Sequence, residues 1–230
     1  MNATTTEGCP NIQASISGQA TSNLSDCLTD ENVIGRSKEL KEITAAIGTE
    51  SEAAVLVTGG PGIGKTAVAM EVHRKLVSNG NEERTVLFCS LRSKETIAEV
   101  ATSMILSCRA NLSQPPDHPQ YWLKNWSTQQ QRKVCFILDN ADHVLESDDR
   151  TEFISILRDM RILSNMITFV ITSRREFQLG PNLQMKLERL TILSCEHAQE
   201  LLLSKVLNPE LKQGLSKTDK LAQLCGCVPL

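Results

Sequence analysis

No stretch of this chain approaches the roughly eighteen consecutive apolar residues that a membrane-spanning helix needs. The opening "MNATTTEGCPNIQ" has neither a basic n-region nor an apolar h-region, so no secretion signal is encoded there. The resulting expectation is a cytoplasmic protein with no membrane partner. Charge of one sign is also missing: 24 basic residues face 27 acidic ones, a net charge of −3. That balance gives no electrostatic reason to expect nucleic acid as the main partner. The eight cysteines (Cys9, Cys27, Cys89, Cys108, Cys135, Cys195, Cys225 and Cys227) contain no C-x-x-C pair. Cys89 and Cys135 lie in strand-like apolar runs, so reduced, mostly buried thiols are expected. Cys225 and Cys227 would join a metal or redox site only if further chain supplied partners. No His/Cys/Asp cluster has metal-site spacing, and neither a fixed-period repeat nor a low-complexity tract occurs.

What is present is an alternation. Residues 1–28 are rich in Thr, Ser, Asn and Gln without sustained period and read as a flexible leader. In "NVIGRSKELKEITAAI", Leu40, Ile43 and Ile47 recur at helical spacing, approached through a turn at Gly35. Then follow strand 53–58, a helix from Lys65 to about Val77, strand 85–90 and a helix from about Lys94 to Cys108. The proline-bearing loop "NLSQPPDHPQ" leads to a short helix in "YWLKNWSTQQQ". Strand 133–139, a helix near 151–161, strand 166–173 and a short strand 185–190 complete the series. Strands that are continuously apolar and alternate with helices predict an α/β fold, a doubly wound, mostly parallel five-stranded sheet covered on both faces. From 191 onward "SCEHAQELLLSKVL" and "SKTDKLAQLCGC" read as helices with no strand between them. The expected organisation is therefore a leader (1–28), a nucleotide-binding unit (29–190) and the beginning of a small helical domain (191–230) cut short by the end of the sequence.

The chemistry centres on "VLVTGGPGIGKTAVAMEV". Gly59, Gly64, Lys65 and Thr66 fit G-x-x-x-x-G-K-[ST], and the segment follows a buried strand and opens a helix, as a phosphate-binding loop must. Gly59, Gly60, Pro61, Gly62, Ile63, Gly64, Lys65, Thr66 and the following Ala67 would wrap a polyphosphate in backbone N–H groups at a helix N-terminus. Lys65 would supply charge to the β and γ phosphates, and Thr66 a hydroxyl for Mg²⁺.

A second buried strand, "VCFILD", ends in Asp139, the carboxylate expected to help hold Mg²⁺. The next residue is Asn140, where many P-loop ATPases carry a second acid that polarises the attacking water. Asp142 could replace it only if the turn bends back, so slow hydrolysis is expected. A third strand ends in Thr172, Ser173 and Arg174. If that strand neighbours the P-loop strand, Arg174 could sense the γ-phosphate; a solvated basic turn is the alternative. Trp122 and Trp126 are read as docking a short helix on the sheet and His73 as a surface residue, whereas His143 lies near enough to Asp139 for a role there to stay open.

Four segments occur in order, "VIGRSKEL", "GGPGIGKTA", "FILDNADHV" and "FVITSRRE", followed by "RLTILSCEHAQELL" and "LCGCVPL". From about Val33 to Leu230 the chain resembles the NB-ARC domain of the STAND class of P-loop NTPases, signalling switches of innate immunity and apoptosis. The resemblance implies that Val33, Ile34, Gly35 and Arg36 pack near adenine, with Ser37 standing at the motif's acidic position. It also implies that Arg174 faces the γ-phosphate and that Gly226, Cys227, Val228, Pro229 and Leu230 close over ADP. Further implied are ATP/ADP and Mg²⁺ as cofactors, and self-association or protein partners acting through absent domains. Kept open are an active AAA+-like ATPase with Asp142 as base, an interaction scaffold that has lost its nucleotide, and a small-molecule kinase.

Overall fold

The computed structural model describes residues 33–49, 51–78, 84–108, 116–205 and 226–229. The expected leader, Cys9, Cys27, Cys225, Leu230 and the second helix expected after residue 215 lie outside the described residues.

Among the described residues five strands form one sheet: β1 (Glu52–Thr58), β2 (Arg84–Ser90), β3 (Lys133–Asp139), β4 (Ile167–Ser173) and β5 (Gln184–Arg189). Their order is β2-β3-β4-β1-β5, and each pairing is parallel. The helices are α1 (Ser37–Gly48), α2 (Lys65–Ser78), α3 (Ile97–Ser107), α4 (Pro119–Thr128), α5 (Asp142–Glu146), α6 (Arg150–Leu163) and α7 (Cys195–Lys205). The doubly wound parallel α/β fold is therefore as expected, and no helix among the described residues is long and apolar enough to cross a membrane.

Alternation along the central strands explains the two layers. Leu56, Phe136, Leu138, Phe169 and Ile171 face α3, α4 and α6, whereas Val55, Val57, Cys135, Ile137 and Val170 face α1 and α2. Both sets are buried, which is why these strands read as continuous apolar runs. Phe136 is fully buried, stacks on Phe169 and meets Trp126 edge-on. Trp122 and Trp126 stack at 6.3 Å and fix α4 against the layer, as their i, i+4 spacing implied.

Several local expectations are corrected. The helix placed from Lys94 begins at Ile97, because Thr96 and Glu99 form a reciprocal capping box and Asp149 accepts the Ile97 N–H at 2.7 Å. Pro119, assigned to the preceding loop, opens α4 at a position where a missing N–H costs nothing. The five-residue α5 was not expected at all. His73, read as a surface residue, is buried edge-on against Phe88, and burial lowers its pKa. It lies four residues after the buried Ala69, on the inward stripe of α2. His143, by contrast, is exposed.

The aromatic column supplies the fold's first test. Phe136→Ala should cost about 3–5 kcal/mol, the range for emptying a fully buried aromatic site, read as a lowered urea midpoint at unchanged slope. A midpoint within error of wild type would show that the Phe136 stack does not hold the layers together.

Candidate functional site

The carboxyl ends of β1, β3 and β4 meet at the crevice where parallel α/β sheets bind ligands. The sheet order makes β4 the direct neighbour of β1, with Thr58 in register with Ser173. The condition on which the third strand's role depended is thus met.

The loop after β1 is shaped by close approach. A Cβ on Gly59 would stand 2.9 Å from the Leu190 carbonyl oxygen, so only glycine lets the loop leave the sheet there. Gly60, Pro61 and Gly62 are exposed, whereas Ile63 is buried and anchors the loop in the core. Lys65 opens α2, with Thr66 and Ala67 exposed beside it, and the Lys65 ammonium donates to the carbonyls of Gly59 (2.8 Å) and Gly60 (2.9 Å). Burial lowers the Lys65 pKa; Asp142 and Asp139 oppose that change and Arg174 adds to it. All three charges therefore act on the same small volume.

Asp139 is buried at the end of β3. The Thr66 hydroxyl donates to its two oxygens at 3.1 and 3.0 Å, and the Thr172 hydroxyl donates to Oδ1 at 2.7 Å. Thr172 in turn accepts the Asn140 N–H at 2.8 Å. The hydroxyl and carboxylate oxygens gathered here are of the hard-donor type that suits Mg²⁺. Asn140 has a φ of 64°, a conformation that asparagine tolerates better than most residues. Its backbone is therefore an element of the turn, in addition to its side chain lacking a basic oxygen.

The turn does bend back, but Asp142 is engaged elsewhere. Its Oδ1 accepts from the Ser173 hydroxyl (3.0 Å) and the Arg174 N–H (2.6 Å), and its Oδ2 pairs with Arg174 Nε at 3.0 Å. Burial alone would raise the Asp142 pKa, yet the backbone and side-chain hydrogen bonds from Arg174 and Ser173 outweigh it, and the net direction is down. A carboxylate so fully bonded is a poor proton acceptor. Arg174, half-exposed, is thereby held at the crevice, and its guanidinium comes within 3.9 Å of Glu146.

The opposite wall is built by segments far apart in sequence. Val33 and Ile34 are half-buried, and Arg36, almost fully buried, donates to the carbonyls of Ile63 (3.2 Å) and Thr191 (2.6 Å) while pairing with Glu39 at 3.0 Å. Gly35 has a φ of 75°, and a Cβ there would lie 2.8 Å from His197 on α7. Residues 226–229 return to the same place. The Leu193 N–H donates to the Cys227 carbonyl at 3.0 Å, and Pro229 lies 3.5 Å from where a Gly64 Cβ would stand. Sequence reasoning had not found Thr191, His197 or the double role of Thr172; their partners are too distant along the chain for any spacing to reveal them.

A sequence profile described as AAA domain matches residues 49–179, more than half of the chain. Among solved structures, the chain is similar to the Aeropyrum pernix ORC1 protein in complex with DNA, at 16% identity and a TM-score of 0.65, over 84% of this chain and 56% of that one. It is similar to Drosophila ORC bound to DNA at 16% identity and 0.59, over 74% and 46%. For Cdc6p from Pyrobaculum aerophilum the values are 11% and 0.59, over 78% and 51%. The chain thus spans about half the length of these proteins, and at such identities the likeness shows the fold alone. No curated protein matches the chain.

Asp142 yields a test of the site's electrostatics. A carboxyl whose folded pKa is depressed contributes stability that is complete above its ordinary value of 3.8 and is lost as pH falls through the lower folded value. Wild type should therefore lose more stability than Asp142→Asn between about pH 7 and about pH 3 in denaturant titrations. Parallel losses in the two proteins would remove Asp142 as an anchored carboxylate.

Proposed function

Because this chain belongs to the AAA domain family, its α/β unit is a P-loop nucleotide-binding domain, and we propose that it works as an ADP/ATP-binding switch of NB-ARC type with slow hydrolysis at most. The observation that carries this reading is the return of residues 226–229 onto the P-loop, with Pro229 against Gly64 and Cys227 bonded to Leu193. A domain that retains nucleotide needs a cover over the phosphate loop, and this segment fits that need.

In this reading Gly59 to Ala67 cradle the phosphates, Lys65 exchanges its two loop carbonyls for phosphate oxygens, and Thr66 with Asp139 holds Mg²⁺. Bound Mg²⁺ would neutralise phosphate charge and orient the terminal group. Val33, Ile34 and Arg36 shape the adenine side, Arg174 senses the γ-phosphate, and Pro229 closes over ADP. Residues 29–190 form the nucleotide-binding unit, and 191–230 begin the helical domain that moves against it. Partners would be further copies of the protein or other proteins, in signalling of the immune or apoptotic kind and in the cytoplasm.

The family also supports a second reading, a steadily turning ATPase. That reading needs a general base, worth about 10² to 10⁴ in rate. Asn140 cannot accept a proton, and Asp142 already accepts three hydrogen bonds from Ser173 and Arg174.

Calorimetry with ADP and Mg²⁺ should show micromolar binding that Lys65→Ala weakens at least about tenfold, the loss of one charge-assisted phosphate contact. ATP turnover should be slow and insensitive to Asp142→Ala. Rapid turnover that collapses in Asp142→Ala would overturn the switch reading in favour of the ATPase. No binding heat, or binding indifferent to Lys65→Ala, would leave a scaffold.

A further inference from the structure

The cover over the P-loop contains two sulfur atoms in contact. Cys195, in the first turn of α7, is exposed, Cys227 is buried, and their Sγ atoms stand 3.5 Å apart across a separation of 32 residues. Their backbones are already registered by the Leu193 to Cys227 hydrogen bond at 3.0 Å. A disulfide needs about 2.05 Å between sulfurs, so the two sulfurs have about 1.5 Å left to close.

We propose that Cys195 and Cys227 are a modification site at which a peroxide-class oxidant forms a reversible disulfide, clamping residues 226–229 over the P-loop and slowing nucleotide release. The release half of this proposal rests on the switch reading above.

The chemistry balances without a metal. The exposed Cys195 thiolate attacks one peroxide oxygen; an S–O bond forms, the O–O bond breaks, and the departing hydroxide takes a proton to become water. The Cys227 thiolate then attacks the Cys195 sulfenic sulfur, forming the S–S bond as the S–O bond breaks and a second water leaves. Two thiols are oxidised and one peroxide is reduced to two waters, the thiol protons ending in the water. A dithiol reductant reverses the bond by exchange.

Position gives the bond its effect. Cys195 lies two residues before His197, which packs on Gly35, and Cys227 lies two residues before Pro229, which packs by Gly64. One covalent link would therefore join the parts of the cover that touch the adenine-side turn and the phosphate loop. Burial pushes Cys89 and Cys135 up to about 12 and raises Cys108 as well, which disfavours the thiolate at these positions.

The test uses the full chain carrying Cys225→Ser, which removes the thiol two residues before Cys227, treated with hydrogen peroxide. Peptide mapping should find Cys195 linked to Cys227, with the link absent after dithiothreitol and absent in Cys195→Ser. Release of a fluorescent ADP should slow about tenfold on oxidation, as a constrained cover lowers the off-rate, and recover with reductant; Cys195→Ser should release at the reduced rate throughout. Two thiols that alkylate independently after peroxide would overturn the site. A formed disulfide with unchanged release would overturn the clamp. If the reduced protein binds no ADP, the switch reading fails by itself, and the peptide map still decides whether the disulfide forms.

Discussion

One carboxylate holds the nucleotide edge together. Asp139 ends the buried strand β3 and receives hydroxyls from Thr66 on α2 and Thr172 on β4, so three elements converge on two oxygens. A buried carboxyl group is costly unless it is hydrogen-bonded, and these two hydroxyls supply hydrogen bonds to it. The same donors place the Thr66 hydroxyl and the carboxylate side by side, the arrangement a hard cation between protein and phosphate requires. The demand of burial and the geometry of the site are thus met by the same atoms.

Around that centre the charges are arranged in pairs that restrain one another. Lys65 is tied to its own loop, Arg174 to Asp142, and Arg36 to two carbonyls and Glu39. None of the three basic groups is loose, and Lys65 and Arg174 are held at the crevice by the partners they already have, which lowers the ordering cost of binding an anion there. Such preorganisation favours holding a ligand, and Asp142 is engaged by Ser173 and Arg174 in the same edge.

Much of this was legible in the residues themselves. The central strands β1 and β3 stood out because both faces of the sheet are covered there, which makes each a buried apolar run ended by a polar residue, Thr58 or Asp139. The P-loop was legible because its spacing and its strand-to-helix setting are local. The failures share a cause. His73 was judged as a polar residue, although its place on the stripe of Val68, Ala69 and Val72 pointed inward. The five residues of α5 are too few for periodicity to register. The capping box Thr96–Glu99 is a local sequence signal, and it sets the start of α3 at Ile97. Arg36 was tied to adenine by resemblance, but its hydrogen bonds to Ile63 and Thr191 join positions 27 and 155 residues away, which no spacing rule reaches.

The strand order β2-β3-β4-β1-β5 carries a consequence for how the protein is made. Among the described residues β1 pairs with β4 and β5. During synthesis from the N-terminus, the apolar "EAAVLVT" emerges long before any partner strand, with the phosphate loop attached. Its ladder and the Gly59 approach to Leu190 form after most of the domain has left the ribosome. Sequence-distant pairing of this kind slows folding and lengthens the exposure of an aggregation-prone strand. The ligand edge is therefore incomplete until β5 has docked beside β1.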